Sequence, residues 1–79
     1  MIDEQSLTEL IQAHLPESRV QVHDKTGMQD HYIVVVSSTA FQGQNAMARH
    51  RMVYAAVQPA LNDGRLHAIE IKTVAPEVV

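Results

Sequence analysis

The sequence predicts an α+β fold: one two-layer domain over residues 1–79, ordered α-β-β-α-α-β, with a three-stranded mixed sheet and helices on one face. Three observations carry this reading. The run His31-Tyr32-Ile33-Val34-Val35-Val36 is β-branched and apolar on both parities, as in a central strand. Apolar residues recur at helical spacing before it and again after it. A final run, His67-Ala68-Ile69-Glu70-Ile71-Lys72-Thr73, alternates as a half-exposed strand does.

Taken in order, Ser6-Leu7-Thr8-Glu9 has the capping-box spacing, with Ser6 as N-cap. Leu7, Leu10, Ile11, His14 and Leu15 then form an apolar stripe with His14 as a partly buried polar tip, and Pro16 ends the helix. Arg19-Val20-Gln21-Val22-His23 alternates, with Val20 and Val22 facing one way. The turn-rich Asp24 to Asp30 segment, with Gly27 free to take positive φ, closes an antiparallel hairpin and is expected to be mobile. After Val36, Phe41 is expected to plug the core. Asn45 is a candidate N-cap for a helix to about Val57, with Ala46, His50, Val53 and Val57 on one stripe. Pro59 is expected to break that helix and open a short second one ending at Gly64. Pro76 ends the regular structure, and Glu77-Val78-Val79 is a tail. The helices can cover only one sheet face, so the face near Tyr32, Val34 and Val36 is expected to be covered by a partner or by a second copy in a homodimer.

Composition narrows the function classes. The 79-residue chain contains no Cys, which excludes a disulfide framework and a self-contained Cys-ligated metal site and fits a reducing, cytoplasmic location. No apolar run reaches the roughly 20 residues of a membrane span, and the acidic start Met1-Ile2-Asp3-Glu4 is unlike a targeting peptide. The net charge of -3 disfavours strong nonspecific nucleic-acid binding. No nucleophile sits with a base at a recognisable spacing and there is no Gly-rich phosphate loop, so the chain does not read as an enzyme.

Histidine is in excess, at positions 14, 23, 31, 50 and 67. A strand, a helical crossover and another strand pair in parallel, right-handedly. Strands two and three then start at the same end of the sheet, where strand one finishes. That puts His23, His31 and His67 on one rim. Neutral imidazole is a common metal ligand, but these residues cannot close a tetrahedral structural zinc site, so a partner would have to complete any metal centre there. Each histidine also has an ordinary reading. His67 shares the parity of Ile69 and Ile71, His23 is a strand-end residue, and His50 lies on the helix stripe.

Phe41-x-Gly43, Arg49-His50-Arg51-Met52-Val53-Tyr54 and Leu66-His67-Ala68-Ile69-x-Ile71-x-Thr73 together resemble the BolA family across nearly the whole chain. The resemblance implies a fold related to type II KH domains. It implies a monothiol glutaredoxin as partner, in a heterodimer that shares a [2Fe-2S] cluster, with none bound to the isolated chain. By the same resemblance His67 is a cluster ligand, His31 is the second, and the remaining ligands are the glutaredoxin's cysteine and a glutathione thiolate. His67, on a regular strand, is expected to matter more than His31 beside a mobile loop.

The alternative is a transcriptional regulator that binds DNA through Arg49, Arg51, Arg65 and Lys72. Against it stand the acidic charge and the absence of a GxxG clamp, which Gly43-Gln44-Asn45-Ala46 does not supply.

Overall fold

In a computed structural model, residues 1–76 are described; the tail Glu77-Val78-Val79 lies outside the described residues. The first helix, α1 (Glu4–His14), is capped by Asp3 rather than Ser6. The Asp3 carboxylate accepts the Ser6 amide at 2.7 Å, which places Ser6 inside the first turn. The earlier start puts Ile2 just outside the cap and Leu7 one turn inside it, and both join the buried cluster, the positions of a hydrophobic staple. Leu7, Ile11 and Leu15 are buried, whereas His14 is exposed.

β1 (Arg19–Asp24) pairs antiparallel with β2 (His31–Ser37), and β2 pairs parallel with β3 (Ala68–Val74). The order β1-β2-β3 makes β2 central, as its double apolar parity predicts. The choice of covered face is the reverse of the expectation. Tyr32, Val34 and Val36 are fully buried under the helices, and the helix-free face carries half-buried Ile33 and Val35. The register supplies the reason. Val22 and Ile71 flank Val34, giving the first parity an apolar row three strands wide. His23 and Glu70 flank Ile33, and Gln21 and Lys72 flank Val35, so that face is polar at its sides.

Between β2 and the second helix, a 3-10 turn (Thr39–Phe41), not expected from the sequence, seats Phe41 fully in the core. The second helix, α2 (Ala46–Asn62), runs through Pro59 without a break, so there is one helix where two were expected. Pro59 and Ala55, whose carbonyl loses its amide partner, lie on the exposed side, where water can take the bond. On the other side Val53, Ala56, Val57 and Ala60 are buried, and that packing rewards one continuous helix. Asn45 caps it as expected, its Oδ1 accepting the Ala48 amide at 2.8 Å. Gly64, at φ +82°, makes the left-handed turn that follows. No helix among the described residues is long and apolar enough to cross a membrane.

Candidate functional site

The parallel crossover brings the starts of β2 and β3 to one rim, beside the end of β1. The loop there is cross-linked by its own side chains. The Asp24 carboxylate accepts the Gly27 amide at 2.9 Å and the Gln29 amide at 3.1 Å. Gly27 (φ +78°) and Gln29 (φ +58°) take the left-handed conformations that allow this winding. The Thr26 hydroxyl donates to the Asp30 carboxylate and accepts the Met28 amide at 3.1 Å. At its base the Lys25 amide donates to the His31 carbonyl at 2.9 Å.

One backbone bond ties the two ligand candidates together. The Ala68 amide, directly after His67, donates to the carbonyl of Asp30, directly before His31, at 3.1 Å. Ala68 is the register partner of His31. His67 therefore stands one residue before the partner of His31, on the alternate parity. His67 precedes the strand by one residue rather than opening it, and its side chain is exposed rather than packed with Ile69. The Asp30 carboxyl is held below the usual carboxylate range, chiefly by the Thr26 hydroxyl, with nearby His67 the smallest contributor.

His31 is half-buried. Its Nε2 is closed off from solvent and lacks a hydrogen-bond partner. The Glu70 Oε1 stands 3.8 Å from that nitrogen and also accepts from Lys25 Nζ at 3.2 Å. Sequence reasoning passed over Glu70 and Lys25 because both read as ordinary exposed charges. The signal was there: Glu70 shares the parity of His31 across a parallel pair.

His23 reaches the same rim, exposed at the end of β1 and opposite Ile33. His14 and His50 lie elsewhere. His50 is exposed and stacked on Tyr54, ring centroids 6.2 Å apart, rather than packed in the core. Among the described residues no group of three or more His, Cys, Asp or Glu side chains converges as a metal site.

Of the four basic residues considered for nucleic acid, Lys72 is separated from the two arginines of α2. Arg49 is half-buried and donates to the Gln44 carbonyl at 2.8 Å, and Arg51 contacts the Met47 sulfur at 3.4 Å. Arg65 pairs with Asp63 at 2.8 Å. Lys72, opposite Val35, is on the helix-free face, across the sheet from α2.

The family model of BolA-like proteins matches residues 10–78. A protein of Rickettsia prowazekii is 32% identical over 74 residues, covering 94% of this chain and 95% of its relative. A bolA protein homologue from Coxiella burnetii is similar in structure with a TM-score of 0.80 at 32% identity, covering 96% of this chain and 94% of the other. The BolA domain of SufE1 from Arabidopsis thaliana gives a TM-score of 0.78 at 26% identity, with 96% of each chain covered.

Proposed function

This chain belongs to the BolA-like protein family, and from that premise we propose that it is a non-enzymatic adaptor in iron-sulfur homeostasis. It binds a monothiol glutaredoxin and contributes His31 and His67 to a [2Fe-2S] cluster shared across the heterodimer. The glutaredoxin's cysteine and a glutathione thiolate supply the other ligands.

The observation that carries the proposal is the Asp30–Ala68 backbone bond, which keeps the two histidine segments adjacent on one rim. The donor chemistry fits. A [2Fe-2S] cluster accepts two imidazoles in place of two thiolates, and a chain without Cys must take its thiolates from a partner. When bound, the cluster supplies an exchangeable iron-sulfur unit with a redox potential set by its ligands. The chain's own residues do the holding. The Asp24-wound loop fixes the His31 backbone, and exposed His67 stands free to meet a partner's surface. The Arabidopsis SufE1 relative carries its BolA unit as a domain, which fits a module that works joined to another protein. Lys72 stands across the sheet from the arginines of α2, which weighs against the four-residue basic face of the DNA-binding alternative.

The test is co-expression with a monothiol glutaredoxin, followed by visible absorption and iron and sulfide analysis of the co-purified complex. The Asp24 bonds support a held His31 backbone, so the two histidines are expected to matter alike. We therefore expect His67→Ala and His31→Ala each to abolish the heteromeric spectrum while leaving a folded chain that still binds apo-glutaredoxin. Retention of the wild-type spectrum by both variants would refute ligation by this rim.

A further inference from the structure

His31 is held in a way that ligation alone does not require. Its side chain keeps 31% of its exposure, yet Nε2 is sealed from solvent with no hydrogen-bond partner. An unpaired polar atom in that position costs free energy, so its neighbours must account for it. The facing group is the Glu70 carboxylate, 3.8 Å away. Glu70 is opposite Ile33, two residues along from His31 and on the same sheet face. Lys25 holds the same carboxylate oxygen at 3.2 Å, which tethers Glu70 beside the ring. Of the other charged groups at this rim, Asp30 is engaged by Thr26 and Asp24 by the loop amides.

A neutral imidazole carries its proton on one nitrogen and a lone pair on the other. With the lone pair on Nε2, two electron-rich atoms would stand 3.8 Å apart, at a nitrogen that solvent does not reach. With the proton on Nε2, the nitrogen that carries it stands 3.8 Å from a carboxylate oxygen, beyond hydrogen-bond length but electrostatically favourable. Nδ1 is not sealed in this way: Nε2 is the one buried side-chain nitrogen or oxygen without a partner among the described residues.

We infer that Glu70, tethered by Lys25, is a positioning residue that selects the Nε2–H tautomer of His31 and so presents the Nδ1 lone pair outward as the ligating atom. Histidine ligands commonly donate their second ring N–H to a carboxylate, which fixes tautomer and ring direction and strengthens the donor. The role of Nδ1 as ligand rests on the adaptor reading; the tautomer is a property of the free protein.

Two-bond proton–nitrogen correlation spectra of the 15N-labelled free protein, in mildly alkaline solution where imidazoles are neutral, read the tautomer of each histidine. Exposed His14 is the internal reference. We expect His31 in a single Nε2–H form while His14 averages both. Glu70→Ala should return His31 to the His14 pattern, and Glu70→Gln, which keeps an acceptor oxygen, should largely preserve the wild-type pattern. Amide spectra of both variants check that the fold is intact. A wild-type His31 that matches His14, or one that Glu70→Ala leaves unchanged, overturns the assignment. In the co-purified heterodimer, Glu70→Ala should speed cluster loss roughly tenfold with glutaredoxin binding unchanged. A wild-type heterodimer without a cluster would refute the adaptor reading alone, because the tautomer result is obtained without it. An intact cluster with no response to Glu70→Ala refutes the positioning role alone.

Discussion

Replacing Tyr32 by Phe isolates one buried hydrogen bond next to the proposed site. Tyr32 is fully buried, and its hydroxyl donates to the Ile2 carbonyl at 2.6 Å, joining the start of the chain to the central strand. Phe keeps the ring and its packing, so the apolar contribution is nearly unchanged. What is lost is the bond, about 1 kcal/mol net, and what remains is a carbonyl beside Ile2, itself only 3% exposed, without its donor. Together these should destabilise the domain by about 2 kcal/mol, which for a chain of this length lowers the melting temperature by roughly 8–15 °C. Urea titration followed by far-UV circular dichroism should give a lower midpoint with an unchanged slope. There is also an alkaline signature. Burial, with the charges of Asp24, Glu4, Asp3 and Asp30 adding to it, pushes the Tyr32 hydroxyl above its ordinary value of 10.0. The folded state therefore holds this proton more tightly than the unfolded state does. The resulting stability is fully present below about pH 10 and is lost as pH rises through the higher folded value; Tyr32→Phe should lose that dependence. A midpoint within about 0.3 kcal/mol of wild type would refute the reasoning, since it would mean that water replaces the hydroxyl at Ile2.

Val34→Ala should destabilise by about 2 kcal/mol, whereas Val35→Ala, on the helix-free face, should cost under about 1 kcal/mol; equal losses in urea titration would contradict the assigned faces. Pro59→Ala restores an amide inside α2 and should raise stability by roughly 1–3 kcal/mol, and a midpoint unchanged from wild type would show that the helix already accommodates the ring at no cost. Acid should unfold the chain partly through Asp3, Asp30 and Asp63. Their carboxyls are held below the ordinary 3.8, chiefly by the Ser6 amide, the Thr26 hydroxyl and the Arg65 amide respectively. Depressed folded values mean stability present above about pH 4 and lost as pH falls through them, so Asp30→Asn should flatten the acid limb of the pH–stability curve.

The sheet topology was legible because it depends on few things: the double-parity run of β2, the alternation of its neighbours and a crossover long enough to carry the chain back to the end where β2 starts. Where the sequence misled, packing outweighed a local rule. Pro59 is a helix breaker by local chemistry, yet four residues on the opposite side of α2 are buried. Ser6 has the capping-box pattern, but Asp3 offers a carboxylate to the Ser6 amide and brings Ile2 into the core. The covered face of β2 needed all three strands aligned at once, since Tyr32, Val34 and Val36 look no more buried in isolation than Ile33 and Val35. With the register known, Val22 and Ile71 beside Val34, against His23 and Glu70 beside Ile33, decide it.

The same difference separates the parts of the site. That His31 and His67 share a rim follows from strand direction alone, because parallel strands must start at the same end; no side-chain detail enters. The internal bonding of the loop between β1 and β2 depends on such detail. Asp24, Thr26 and Asp30 are individually common turn residues, and only the structure shows that the Asp24 and Asp30 carboxylates together cross-link the segment. Glu70 needed more still: the parallel register to bring it to the face of His31, and Lys25, from the far side of the hairpin, to hold its carboxylate there. A ligand position can be inferred from topology, but the atom of the ligand that faces outward is decided by neighbours distant in sequence. Exposed charges flanking a strand-start histidine on the same parity are therefore worth examining before they are dismissed as solvent-facing, because a single carboxylate there can decide which ring nitrogen carries the proton.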